Sequence, residues 1–89
     1  MELYQLRSFA AVAEMGHLTR AAEQLHVSQP AVSAQIKALE DGLGVALFDR
    51  ASSGMVLTSA GRRLLPAAGK GMLAAQSARS GTHGLADPA

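Results

Sequence analysis

Apolar residues recur at helical spacing in the segment between Ser28 and Gly44. These positions are Val32, Ile36, Leu39 and Leu43. At about 100° per residue they fall on one narrow stripe of an α-helix. Ser28 is a good N-cap, Pro30 is tolerated in a first turn, and Gly44 favours a left-handed end. The pattern therefore predicts a helix over residues 28–43 with a buried seam.

The opposite face of this helix carries small or polar side chains, concentrated in its N-terminal half. They are Gln29, Pro30, Ser33, Ala34 and Lys37. Short or amide side chains, one positive charge and few acids are what a helix needs to enter the DNA major groove. Every amphipathic helix of a small domain also has a polar outer face, so an ordinary surface helix is the competing interpretation.

Two amphipathic segments precede this helix. Residues 2–15 are predicted to form a first helix that ends at Gly16. Its apolar positions are Leu3, Leu6, Ala10 and Ala13, with Phe9 and Val12 widening the stripe. Residues 18–25 are predicted to form a short second helix. Its expected N-cap is His17, a poor cap compared with serine, and Thr19 could share that task.

The second and third helices together show the pattern of a helix-turn-helix. The residues expected to pin these two helices to each other are Ala22, Leu25, Val27, Val32 and Ile36. Helical hairpins that do not bind DNA could show the same spacing. The pattern alone therefore leaves both possibilities open.

The apolar period changes after residue 44. Residues 45–50 and 55–57 are predicted to form two short strands around a turn of small residues at 51–54. The result is a small β-hairpin, or wing, with Arg50 at its tip. An arginine there is well placed for a phosphate or for the narrow minor groove. Taken by itself, an exposed arginine near a turn is usually only a solvated charge.

A fourth helix is predicted from a Thr58 N-cap through residue 80. Its apolar stripe includes Ala60, Leu64, Ala68 and Met72. Pro66 falls inside the helix and is expected to kink or break it. A helix that projects from a small domain with an apolar side needs a partner, and a second copy of the chain is the expected one. Residues 81–89 have no periodicity and are expected to be disordered.

The composition narrows the classes of protein. A chain of 89 residues makes one small domain, and 48% hydrophobic but 3% aromatic residues predict an aliphatic core. The absence of cysteine excludes disulfides and thiolate metal sites. The sequence shows neither a signal peptide nor a membrane-spanning run, so a cytoplasmic protein is expected. Because the net charge is only +1, any attraction to DNA must be local.

Two stretches resemble the N-terminal DNA-binding domain of the LysR-type transcriptional regulators. They are LYQLRSFAAVAEMGHLTRAAEQLHVSQPAVSAQIKALEDGLGVALFDR and VLTSAGRRLLP. The resemblance implies a mainly α winged helix-turn-helix DNA-binding domain over residues 1–57 and a linker and dimerisation helix over residues 58–80. It also implies that the tail, residues 81–89, leads toward an effector domain absent from this chain. A small-molecule inducer is expected only through that domain.

The resemblance also implies particular DNA contacts. Base contacts would fall on Gln29, Pro30 and Ser33, with Arg50 as the wing contact. Phosphate contacts would fall on Thr19, Arg20, Ser28 and Lys37. Two positions depart from the family pattern. Ala34 stands where the recognition helix often has an arginine, so one strong guanine or phosphate contact is lost. His17 stands where the second helix often has a serine cap.

Sequence-specific binding of double-stranded DNA by a homodimer is the favoured hypothesis. A helical interaction module without DNA affinity would explain the fourth helix, but not the wing with Arg50 or the acid-free front of the third helix. An enzyme is poorly supported, because His17, His26 and His83 lack metal-ligand spacing and the serines lack a plausible base. No glycine-rich phosphate loop is present, and no metal or other cofactor is expected.

Overall fold

Helices and strands follow one another in the order that the sequence predicts. The computed structural model describes residues 1–51 and 54–69. The elements are α1 (Leu3–Met15), α2 (Leu18–Leu25), α3 (Gln29–Leu43), β1 (Phe48–Ala51) and β2 (Gly54–Leu57). Residues 59–69 are also helical and are called α4. The predictions for Met72, for the end of the fourth helix and for the tail lie outside the described residues. The mainly α winged helix-turn-helix is confirmed.

The ends of the helices follow the predicted signals. Ser28 Oγ accepts a hydrogen bond from the Ala31 amide at 3.2 Å, which satisfies a donor that the helix leaves unpaired. Gly16 and Gly44 adopt left-handed conformations, with φ of 72° and 75°, and donate their amides back into α1 and α3. His17 occupies the N-cap position of α2, but its side chain makes no capping hydrogen bond. The expectation of a poor cap is confirmed.

The core lies where the three helices meet the start of the hairpin. The large, fully buried hydrophobic side chains are Phe9, Leu39, Leu47, Val12 and Val32. The rings of Phe9 and Phe48 lie 5.4 Å apart with a tilt of 51°, a favourable geometry that joins α1 to β1. The other buried apolar residues are aliphatic and include several alanines, as the composition predicts.

Three apolar residues that were expected to be covered are exposed: two were placed on buried stripes, and Val27 was placed at the contact between the second and third helices. Leu3, Val27 and Leu43 keep 38%, 41% and 41% of their surface accessible. Leu3 and Leu43 lie in the terminal turns of α1 and α3, beyond the central buried part of each helix. Val27 lies in the connection between α2 and α3, and its amide donates to the Ala22 carbonyl at 3.0 Å. The helical period identifies which face of a helix is buried. It does not identify how far along the helix the neighbouring elements cover that face.

The described part of α4 packs on this same core. Ala68 is fully buried, and Ala60, Leu64 and Leu65 pack against buried core residues. The expectation that this stripe is uncovered is therefore wrong for Ala68, whereas Ala60, Leu64 and Leu65 are only partly covered by the chain's own core. Their part in a dimer stays a prediction. Of the kink or break expected at Pro66, a break is not found, since residues 59–69 are helical throughout. Apolar contacts on both sides of the proline outweigh its local cost.

A carboxylate joins α3 to the beginning of the hairpin. Glu40 Oε2 accepts hydrogen bonds from the Leu47 amide at 2.7 Å and from the Phe48 amide at 3.3 Å. Hydrogen bonds to an ionised acceptor are stronger than those between neutral groups. Because the side chains of Leu47 and Phe48 are both buried, this carboxylate fixes the point at which the chain leaves α3 and enters β1.

The register of the hairpin places Arg50 inside a strand. Arg50 pairs with Met55 in the antiparallel ladder, and one further pair, Ala51 with Gly54, follows before the turn. The prediction that Arg50 lies at the tip of the wing is therefore wrong. The ladder extends further toward the turn than the sequence suggested, because small residues that favour a turn can also end a strand.

Thr58 holds the beginning of α4 against the hairpin. Its hydroxyl donates to the Ala46 carbonyl at 2.7 Å and accepts from the Gly61 amide at 3.1 Å, so the predicted cap is confirmed. Gly61 is buried, and a Cβ at this position would lie 2.3 Å from the Leu47 carbonyl oxygen. Only glycine lets α4 approach the hairpin so closely.

We therefore predict opposite effects of alanine at two glycines. Gly61→Ala should lower the free energy of unfolding by about 1–3 kcal/mol, because the contact with a backbone oxygen cannot be relieved by a side-chain rotation. Gly42→Ala should raise it by about 0.5–1 kcal/mol, because Gly42 lies inside α3 with nothing within 4 Å of its added Cβ. Urea denaturation followed by circular dichroism measures both. Equal effects of the two substitutions would contradict the close approach at Gly61.

Candidate nucleic-acid interface

The wing is fastened to the turn between α1 and α2. The Met55 amide donates to the Gly16 carbonyl at 2.9 Å. Gly54 has a φ of 130°, and a Cβ on it would lie 2.3 Å from the same Gly16 oxygen. Glycine is required at residue 54 both for its backbone conformation and for this approach. Since Arg50 pairs with Met55, the attachment carries Arg50 toward the N-terminal end of α2.

A groove of about 620 Å³ opens between α2, the start of α3 and the wing. It is lined by His17, Leu18, Thr19, Arg20, Glu23, Gln29, Arg50, Ala51, Gly54 and Met55. Four of the residues predicted from the sequence to contact DNA are in this list: Thr19, Arg20, Gln29 and Arg50. They come from three separate elements, and the attachment of the wing is what brings them together.

A second, smaller groove of about 240 Å³ continues along α3. Its lining residues are Leu18, Ser33, Ile36, Lys37, Glu40, Phe48, Arg50 and Met55. Ser33 and Lys37, two further predicted contacts, therefore face the same wing strand as Gln29 does. Arg50 lines both grooves, so the two form one surface, which we call the α2–α3–wing surface.

Pro30 and Ser28 stand apart from these grooves. Both are exposed at the beginning of α3, next to Gln29, and neither lines the α2–α3–wing surface. The Ser28 hydroxyl already accepts the Ala31 amide, although it still has a proton to donate. Pro30 offers an apolar ring in the first turn, at the end of α3 that would enter a DNA groove first.

Positive charges prevail on the α2–α3–wing surface. Arg20, Lys37 and Arg50 lie on it, and the acids that line it are Glu23 and Glu40. One oxygen of Glu40 is already engaged by two backbone amides. Lys37 Nζ lies 3.7 Å from Asp41 Oδ1, but these side chains are 76% and 68% exposed. Such a solvent-exposed pair is weak, so Lys37 can exchange it for a phosphate.

Sequence reasoning missed three residues that shape this surface. Glu40 anchors the wing, and its signal was an acidic residue close to the end of the seam of α3. Ser8 is buried and its hydroxyl donates to Gln35 Oε1, which joins α1 to α3. A serine inside an apolar stripe was the signal there. His17 was interpreted only as a cap, whereas it lines the larger groove.

The described residues offer little to other kinds of site. No three histidine, cysteine or acidic side chains among them are grouped so that they could hold a metal ion. None of the described helices is both long and apolar enough to cross a membrane.

Comparison with known proteins assigns the family. Residues 3–62 match the model of the bacterial regulatory helix-turn-helix proteins of the lysR family. The chain belongs to the LysR family. It is 55% identical over 64 residues to the RuBisCO operon transcriptional regulator of Allochromatium vinosum, covering 72% of this chain and 21% of that protein. It is 54% identical over 65 residues to the HTH-type transcriptional regulator ClcR of Pseudomonas putida, covering 73% and 22%. The chain thus spans about a fifth of the length of these LysR relatives.

Solved structures of LysR regulators share the fold. The crystal structure of CbnR, a LysR family transcriptional regulator, has a TM-score of 0.89 and 42% identity, over 94% of this chain and 29% of that one. The crystal structure of the CbnR DNA-binding domain in complex with DNA has a TM-score of 0.82 and 43% identity over 100% of both chains. A LysR domain of the same extent and fold is therefore known with DNA bound.

Proposed function

We propose that this LysR-family chain binds duplex DNA in a sequence-specific manner and so regulates transcription. The observation that carries the proposal is the α2–α3–wing surface, where Arg50 lines the grooves on both sides of the wing strand. The DNA complex of the similar CbnR domain supports it. The protein works in the cytoplasm, where the DNA is. An inducer would act through an effector domain outside this chain.

The N-terminal half of α3 enters the major groove in this proposal. Gln29 offers an amide that can pair bidentately with adenine. Ser33, one turn later, can donate to or accept from several bases, and Pro30 can contact a thymine methyl group. Pro30 and Ser33 are small and Gln29 is an uncharged amide, which lets the helix approach the base edges closely.

Charged and hydroxyl side chains around this helix hold the phosphate backbone. Thr19 and Arg20 do so from α2, Ser28 from the start of α3, and Lys37 from its middle. Contacts of this kind fix the register of the protein on the duplex without distinguishing bases. Arg50, on the strand between the two grooves, reaches a phosphate or the adjoining minor groove.

A helical interaction module without DNA affinity is the alternative. It accounts for the exposed apolar residues at the start of α1 and the end of α3, among them Tyr4 and Leu43. It gives no reason for Arg50 to line two grooves that also carry Arg20 and Lys37. Selection of bound sequences from a random duplex pool tests the proposal. An enriched motif supports it, and a pool that stays random after repeated selection would favour the alternative.

The first functional prediction concerns base recognition. Gln29→Ala should weaken binding to the selected duplex by about 1–3 kcal/mol and relax the preference at one or two base pairs, because a bidentate amide contact is lost. Fluorescence anisotropy with selected and random duplexes measures both effects. Gln24→Ala, on the exposed side of α2 outside both grooves, is the matched control and should change neither. An equal loss on both duplexes would show that Gln29 conveys no sequence information.

The second functional prediction concerns the phosphate contacts. Arg50→Ala and Lys37→Ala should each weaken binding to every duplex and lower the salt slope of the binding constant by roughly one, because one counterion fewer is released. Arg7→Ala removes an exposed arginine of α1 outside both grooves and should leave the slope unchanged. A normal slope for Arg50→Ala would mean that the wing does not reach the backbone.

The third concerns assembly. We propose that two copies form a two-fold dimer through the linker helix and bind an inverted repeat, with half-sites spaced by about one helical turn or a multiple of it. Leu64 cannot test this, because it packs against the core of its own chain. Ala67, three residues further along α4, is exposed and can test it. Sedimentation should show a dimer at high concentration, and Ala67→Glu should weaken it without unfolding the chain. A wild-type monomer that binds single half-sites as well as paired ones would contradict the dimer.

A further inference from the structure

His17 occupies the N-cap position of α2, but its side chain does not cap the helix. Its backbone carbonyl accepts the Ala21 amide at 3.1 Å, but its imidazole makes no capping hydrogen bond. The residue is exposed and lines the larger groove of the α2–α3–wing surface. A Cβ on Gly54 would lie 3.1 Å from His17 Cε1 and 3.2 Å from Nδ1. The ring therefore lies against the wing, at the point where the wing meets the turn before α2.

The charges around this ring come from two elements. Arg20 and Glu23 line the groove from α2, and Arg50 lines it from β1. The lining residues from α3 and β2 carry no charge. A phosphodiester placed in this groove would lie beside the ring, and an adjacent negative charge favours the protonated form of a histidine.

We propose that His17 is a phosphate contact that takes up a proton when the domain binds DNA. The inference rests on the proposed DNA binding and adds a residue and a pH dependence to it. Histidine is the side chain that ordinarily changes charge between about pH 5 and 8. Since the DNA-bound form holds the proton more firmly than the free form, DNA affinity rises as the pH falls through this range.

The test measures the affinity of the full chain for a random-sequence duplex between pH 5.5 and 8.0 at constant ionic strength. A random duplex suffices, because a phosphate contact does not depend on sequence. The affinity of the wild type should rise by up to about tenfold per pH unit as the pH falls, the limit for uptake of one proton. His17→Gln should lose this dependence. His17→Lys keeps a positive charge throughout and should bind at pH 8.0 nearly as tightly as at pH 5.5.

His26→Asn is the matched control, because it removes another exposed histidine that does not line the groove. His26 has a φ of 59°, a conformation that asparagine tolerates. This variant should keep the pH dependence of the wild type. Circular dichroism at each pH confirms that every variant is folded.

Three results would each contradict either the role of His17 or the proposed DNA binding. A pH dependence that persists in His17→Gln would remove the assigned role of His17 while leaving DNA binding intact. A wild type whose affinity does not change with pH would do the same. A folded wild type that binds no duplex at either pH, even at low salt, would instead overturn the proposed function. The assignment is supported if the affinity depends on pH in the wild type and in His26→Asn, but not in His17→Gln.

Discussion

The functional surface depends on one carboxylate. Glu40 lies one turn from the end of α3 and accepts the first two amides of the chain segment that becomes the wing. These amides belong to Leu47 and Phe48, whose side chains are buried, so they have little access to water. An unpaired buried amide costs on the order of 1–3 kcal/mol. The same acid therefore satisfies the backbone and sets the position of the wing relative to the helix that would enter the groove.

The wing is held at its other side by backbone contacts that allow no side chain. Gly54 lies against the Gly16 carbonyl, and Gly61 lies against the Leu47 carbonyl. The hairpin is thus enclosed between the turn before α2 and the first turn of α4. Two strands of four residues would be marginal alone. The contacts at Gly54 and Gly61 set the position of the two strands. The pairing with Met55 then fixes the position of Arg50.

Local signals in the sequence predicted the elements, and contacts distant in sequence explain what was missed. Ser28, Gly16 and Gly44 mark helix ends by chemistry that acts within a few residues, so these ends were predictable. The exposure of Leu43 and the burial of Ala68 depend on how far neighbouring elements extend, which periodicity does not encode. The contact between Ser8 and Gln35 joins α1 to α3 and has no local pattern. The candidate contacts were identified from the face of α3, but their grouping around Arg50 came only from the attachment of the wing.

These constraints bear on how such a small surface could discriminate between DNA sequences. With Ala34 at a position where an arginine is common among LysR-type regulators, α3 presents few groups able to contact bases, and all of them are short. Such side chains discriminate only if the helix that carries them is held in place, because hydrogen bonds to base edges need both a short distance and a favourable angle. The hydrogen bond from buried Ser8 to Gln35 holds α3 to α1, and Glu40 holds α3 to the beginning of the wing. The firm attachment of α3 to α1 and to the wing thus compensates for the absence of a long side chain such as arginine.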